Sequence, residues 1–288
     1  MLAVSTERHP VISDALPTDE RILAMWLHGR GIHTKRAYEH DVRLFLRWVG
    51  KPLTIARLED LQNYSDTLTG APASISRRLS AIKSILTFAA RIGITPVNVG
   101  AALRLPKNPN RLAERIISES DVHRMLAACE KSVRDHALIR LLYGCGLRIS
   151  EACGLTFTSL HADKDSGTVT VLGKGEKTRT IRASTGTWSE LQQLRPDPDF
   201  DGWVFRGRGN DALTSSAAWR IVRKAAKRAG LKVAVSPHFL RHANASHALA
   251  RGCPIAVVRD TLGHSSLTIT SRYVHANPDE SSGNYLSV

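Results

Sequence analysis

Cysteine is scarce in this chain, and its spacing carries no chemistry. Cys129, Cys145, Cys153 and Cys253 form no C-x-x-C pair and no zinc-finger spacing, which excludes a thiolate metal site or a thioredoxin-like redox pair. Three of them lie in apolar helical contexts, where cysteine serves as a small core filler. All four read as reduced thiols. Long apolar runs are also missing: none approaches the roughly 20 residues that span a bilayer, and the opening MLAVSTERHPVISD has no signal-peptide core. The expectation is a cytoplasmic protein with no membrane role. No P-loop is present either. Lys174 stands in GKGEK, but the string has neither the earlier glycine nor the following Ser or Thr of that motif.

Acidic residues are outnumbered. Against 26 Asp and Glu stand 40 Lys and Arg, so the net charge is +14 and the pI is near 10.1. That balance favours a polyanionic partner, nucleic acid being the commonest. A merely basic soluble protein has the same composition, so charge alone does not decide. At 288 residues and 42% hydrophobic, the chain is long enough for two domains with real cores.

Periodicity divides the chain. Residues 1–17 carry no pattern and read as a flexible N-terminus. Residues 18–105 read as a helical unit: one amphipathic helix in DERILAMWLHGRG, then a second with Thr34 as N-cap and Tyr38, Val42, Phe45, Leu46 and Val49 on one face. After Pro72, Ile75, Leu79, Ile82, Leu86 and Ala89 repeat at helical spacing, while Arg77, Arg78, Lys83 and Arg91 line the opposite face. Such a stripe is either a solvated face or a contact for a phosphate backbone. Residues 106–115, PKNPNRLAER, read as an extended basic linker. Between a basic first domain and a second domain, it suits a strap along a duplex that the three together could encircle.

From Ile116 the second domain, 116–288, reads as mostly helical. SESDVHRMLAAC has a serine cap and an acidic first turn. HALIRLLYGCG is a buried helix ending at glycine, and Arg148 opens the next short helix. SGTVTVLGKGEKTRTIRA alternates on both sides of GKGEK, which predicts a β-hairpin with Lys174 at its tip.

Several positions in this half bear chemistry. Arg148 reads as a salt-bridge partner of Glu151, three residues on, or as a guanidinium that Glu151 aims at a phosphate. Lys174 is either ordinary surface charge or a mobile ammonium able to protonate a leaving oxygen. In PHFLRH, a helix after Pro237 places His238 and Arg241 on one face at i, i+3. His238 and His242 at i, i+4 raise a zinc reading, but Phe239 stands where H-E-x-x-H needs glutamate. His242 reads instead as a hydrogen-bonded core histidine. Gly263 ends a helix, His264 follows it, and Tyr273 comes nine residues later. A phenol has a pKa of about 10 and is a weak nucleophile at neutral pH without cations and hydrogen-bond donors around the phosphate it attacks.

The strings GCGLRISEACGL, LGKGEKTRTI, PHFLRHANASHALARG, IAVVRDTLGHSSLTITSRYVH and, earlier, TKRAYEHDVRLFLRWV resemble the tyrosine recombinases of the phage-integrase and Xer-like kind. The resemblance runs from about residue 18 to 276. It implies a mainly α, two-domain protein: a helical SAM-like core-binding domain, then a mostly α catalytic domain with a small antiparallel sheet. It further implies Tyr273 as the nucleophile of a 3′-phosphotyrosine linkage, with Arg148 and Arg241 on the non-bridging oxygens. His238 and His264 add hydrogen bonds and help manage protons, Lys174 acts as general acid and Glu151 supports from behind. Arg77, Arg78 and Lys83 become DNA contacts. No metal, nucleotide or other cofactor is implied. The partners would be double-stranded DNA and further protomers, as a homotetramer or a heterotetramer with a related recombinase, at the nucleoid. The tail after Tyr273 offers only Asn284-Tyr285-Leu286 as an apolar plug for a neighbouring subunit. Two alternatives remain at this stage: a type IB topoisomerase-like nicking and resealing enzyme, and a non-catalytic DNA-binding accessory protein.

Overall fold

The structure, a computed structural model, describes residues 17–106, 112–173, 177–209 and 211–274. It divides into two compact units, Met1–Pro109 and Asn110–Val288.

The first unit is helical. α1 (Asp19–Leu27) starts at Thr18, whose side chain accepts from the Arg21 amide, as an N-cap hydroxyl should. α2 (Ile32–Val49) begins at Gly31, not at Thr34, and ends at the left-handed Gly50. The helix gains nearly a turn because nothing in Ile32-His33 breaks it and Lys35 already donates to the Gly31 carbonyl. α3 (Leu58–Thr67) and α4 (Pro72–Arg91) complete the unit, with Pro72 in the first turn of α4, where its missing N–H costs nothing. The apolar stripes read from the sequence meet in one core. Val42 and Phe45 of α2 pack with Leu79, Ile82 and Leu86 of α4 and with Ile22 and Trp26 of α1.

The second unit is mainly helical with one small sheet. α5 (Glu119–Ala127) is capped by Ser118, and α6 (Val133–Gly144) runs through the core. The short α7 (Ile149–Cys153) begins after Arg148. Strands β1 (Leu160–Asp163), β2 (Ser166–Leu172) and β3 (Thr178–Ala183) form an antiparallel sheet in chain order, with Val169 opposite Ile181 and Val171 opposite Arg179. The hairpin is the one its alternation predicts. β1 escaped that reading because its side chains are largely exposed and show no alternation. Then follow α8 (Thr185–Gln193), α9 (Ser215–Arg228), α10 (Pro237–Ala250), α11 (Ile255–Leu262) and α12 (Leu267–Val274).

The unit boundary falls inside the stretch read as a linker. Residues 107–111 of that stretch lie outside the described residues. Its end is not extended, because Ala113–Arg115 form a single helical turn. Leu112 explains the difference: it is buried in a small cluster with Ala245, Val258, Leu262 and Tyr273. Among the described residues no helix is long and apolar enough to cross a membrane.

Candidate active site

The site is assembled where α7, β3, α10, α11 and α12 of the second unit converge. Glu151 organises its cationic side. Its carboxylate accepts from the Arg148 amide at 2.7 Å and from the Arg148 guanidinium at 2.8 Å. On the other side, Arg179 donates to both carboxylate oxygens at 2.8 Å each. This two-pronged geometry fixes a guanidinium plane as well as its distance. Burial alone would raise the Glu151 pKa. The hydrogen bonds from Arg179 and Arg148 outweigh it and bring the carboxyl down to about 2. The side chain of Glu151 is 5% exposed, whereas that of Arg148 is 32% exposed. The carboxylate is sealed in and the guanidinium it steers is reachable from solvent.

Arg241 is buried on α10 and donates to the carbonyls of Gly146 and Leu262. The second acceptor is at the C-terminus of α11, where carbonyls lack helical partners and carry partial negative charge. Burial, and next the neighbouring Arg148, lower the Arg241 pKa to about 10, so it stays cationic at neutral pH. The turn that offers the Gly146 carbonyl requires glycine. Its φ is +60°, and a Cβ there would stand 2.7 Å from Asn244 Oδ1 and from Leu262 Cδ2. Asn244 in turn donates to the Tyr143 carbonyl at 2.7 Å, tying α10 to the end of α6. Gly263, at φ +61°, closes α11 as expected. It accepts from Arg148 at 3.3 Å, and its bare Cα lets the Arg179 guanidinium lie against it.

Tyr273 is buried on α12 between two imidazoles. Its hydroxyl lies 2.8 Å from His242 Nδ1, and its ring stacks on His264 with centroids 6.2 Å apart and planes within 7°. His264 Nδ1 is occupied by the buried Thr270 hydroxyl at 2.9 Å. Burial first, then Arg241 and Arg148, lower His264 to about 4. Burial likewise leads for His242, followed by His238, Arg115 and Arg241, and lowers it to about 4. Both imidazoles are therefore neutral near pH 7. Burial raises the Tyr273 phenol, and Arg241 and Arg272 pull it partly back. His238, exposed at the start of α10, stacks on His242 at 6.3 Å.

The structure thus brings together Arg148, Glu151, Arg241, His264 and Tyr273, with His238 beside them on α10. Lys174 lies outside the described residues, as does the tail segment Asn284-Tyr285-Leu286. The DNA-contact candidates belong to the other unit. Arg77 pairs with the fully buried Asp41, Arg78 approaches the same carboxylate at 3.7 Å, and Lys83 donates to the carbonyls of Ala101 and Leu103. Among the described residues no group of three or more His, Cys, Asp or Glu could hold a metal.

Arg179 is not among the candidates the sequence offers, and His242 is among them only as a core histidine. Arg179 had a readable signal: strand alternation puts it on the inward face of β3 with Ile181 and Ala183, and a buried arginine requires a partner. His242 was read as a hydrogen-bonded core residue, but its partner, 31 residues away, had no local signal.

With that geometry in place, comparison with known proteins is informative. The model of the phage integrase family matches residues 115–280, and that of the phage integrase N-terminal SAM-like domain matches residues 28–93. A tyrosine recombinase XerC from Xanthomonas campestris pv. campestris (strain B100) is 33% identical over 254 residues, covering 84% of this chain and 78% of that protein. A tyrosine recombinase XerD from Neisseria meningitidis serogroup B (strain ATCC BAA-335 / MC58) is 34% identical over 276 residues, covering 89% and 92%. Among solved structures, a lambda integrase (75–356) dimer bound to a COC′ core site superposes with a TM-score of 0.75. It is 18% identical, with 92% of this chain and 98% of that one covered, a likeness of fold.

Proposed function

This chain belongs to the phage integrase family and is a tyrosine-type site-specific DNA recombinase, and from that premise we propose the part each side chain plays. Tyr273 attacks a backbone phosphorus, forming a 3′-phosphotyrosyl linkage and freeing a 5′-hydroxyl. Arg148 and Arg241 hold the non-bridging oxygens, where charge grows in the transition state. His238 and His264 supply further hydrogen bonds. Lys174 protonates the leaving 5′-oxygen. Glu151 keeps the Arg148 fork at its working angle. The ester conserves the energy of the broken bond, so rejoining needs no nucleotide, and fixed cations can do the work of a metal.

The observation that carries this reading is convergence. Arg148, Arg241, His264 and Tyr273 arise from four separate segments and meet around one carboxylate-guanidinium-phenol cluster. Relatives named as recombinases weigh against the topoisomerase-like and non-catalytic alternatives.

The partner is duplex DNA, bound by a homotetramer or by a heterotetramer with a related recombinase, within the nucleoid. The first domain, 18–105, would grip DNA with Arg77, Arg78 and Lys83, the domain 116–288 would carry the chemistry, and the stretch 106–115 would join them.

A nicked suicide duplex, carrying a site selected from random DNA, tests the assignment. Wild-type protein should become covalently attached. Tyr273→Phe should bind the duplex with unchanged affinity and form no adduct. An adduct with the phenylalanine variant would remove Tyr273 as the nucleophile.

A further inference from the structure

A phenol that attacks phosphorus must lose its proton, and the assignment above leaves the acceptor unnamed. Two histidines contact the Tyr273 ring and a third stacks on one of them, and among the described residues one of the three is hydrogen-bonded to its oxygen. His264 lies flat on the ring with Nδ1 committed to Thr270. His238 stacks on His242, one ring further out. His242 Nδ1 is 2.8 Å from the hydroxyl, within the reach required of a general base.

The tautomer of His242 sets the direction of that hydrogen bond. The phenol is buried and protonated, and burial together with nearby cations keeps the imidazole neutral. In the Nε2-protonated tautomer of the neutral ring the phenol donates and Nδ1 accepts, the arrangement a general base at this distance requires.

We propose that His242 is a catalytic residue of this recombinase, its Nδ1 taking the Tyr273 proton as the phenolic oxygen bonds to phosphorus. The proposal rests on Tyr273 being the nucleophile. In the forward step the Tyr O–H breaks, the Tyr O–P bond forms and the P–O5′ bond breaks. The 5′-oxygen takes its proton from the general acid, and His242 becomes an imidazolium. In rejoining, the 5′-hydroxyl gives its proton back to the conjugate base of the general acid as its oxygen bonds to phosphorus, the Tyr O–P bond breaks, and the imidazolium returns its proton to the departing phenolate. Substrate itself prepares the base. Arg241 is among the cations that hold His242 neutral and weakly basic. A phosphate bound there offsets that cation and adds negative charge nearby, which favours the imidazolium. Proton acceptance is thereby tied to the presence of DNA.

The test uses the full chain and the nicked duplex described above. His242→Ala should lower the rate of adduct formation about 10²-fold, at the lower end of what a positioned base contributes, with duplex affinity unchanged. Added imidazole should restore that rate in proportion to its concentration. His242→Asn places an amide oxygen near the position of Nδ1, so it keeps the hydrogen bond but lacks a base. It should remain as slow as the alanine variant and not respond to imidazole. A His242→Asn enzyme at the wild-type rate would overturn the proposal, as would an alanine variant that is unimpaired or beyond rescue. In each of those outcomes the wild-type adduct leaves the Tyr273 assignment standing. Absence of the wild-type adduct removes that assignment instead.

Discussion

Single residues set how this protein responds to acid. Glu151 is held at about 2, below its ordinary 4.5, so its stabilisation is complete above pH 4.5 and is lost as pH falls toward 2. A shift of that size corresponds to on the order of 3 kcal/mol. His242 and His264 act in another window. Both are lowered from 6.5 to about 4, so between those values the unfolded chain binds protons that the folded chain refuses. Stability must fall as pH drops from 6.5 to 4, and then further as Glu151 is neutralised. Urea midpoints measured from pH 7 to 3 should decline in that order, and a flat midpoint between pH 6.5 and 4 would contradict the burial of the two imidazoles. Glu151→Gln removes the anion that both Arg148 and Arg179 address. It should remove most of the loss below pH 4.5, lower the melting temperature and slow adduct formation.

At the scale of elements, the basic face of α4 has a structural job besides the DNA contact proposed for it. Asp41 on α2 is fully buried and meets Arg77 and Arg78, whose side chains remain 45% and 30% exposed. A buried carboxylate is tolerated only when it is paired. Those two arginines therefore hold α2 against α4, and their exposed remainder stays available to phosphate. Removing one partner of a fully buried pair costs about 3–5 kcal/mol. Here the arginines regain water, so Asp41→Ala should cost nearer about 2 kcal/mol, read as a lower urea midpoint. Arg77→Ala should reduce both the melting temperature and DNA affinity. An unchanged melting temperature would show that its pairing with Asp41 contributes nothing to the fold.

Charge is the property of the molecule as a whole. A net +14 over 288 residues favours an extended polyanion over a small anionic ligand. Binding that neutralises many phosphates releases condensed counterions, so affinity must fall steeply with salt. For six to ten contacts the loss is about 10³–10⁵-fold between about 50 and 200 mM. A titration by fluorescence anisotropy measures the slope, and a shallow one would show that few phosphates are touched. The same series on Arg77→Ala should have a slope shallower by about one unit if that residue contacts a phosphate.

The sequence by itself determined the elements, because their signals are local. Helical spacing placed Val42 and Phe45 on the buried side of α2, and Leu79, Ile82 and Leu86 on that of α4. Ser118 marked the start of α5, Gly263 the end of α11, and alternation on both sides of GKGEK marked β2 and β3. The residues around Tyr273 could be ordered along the chain for the same reason, since Arg148 with Glu151 and His238 with Arg241 are each only three positions apart. Only the tertiary structure decided who meets whom. Arg179 reaches Glu151 across 28 positions, Arg241 reaches the Gly146 carbonyl across 95, and Tyr273 reaches His242 across 31. Such contacts leave no periodic trace, because they arise where separately patterned helices and strands bury their apolar faces together. The polar groups carried inward then have to find partners within reach.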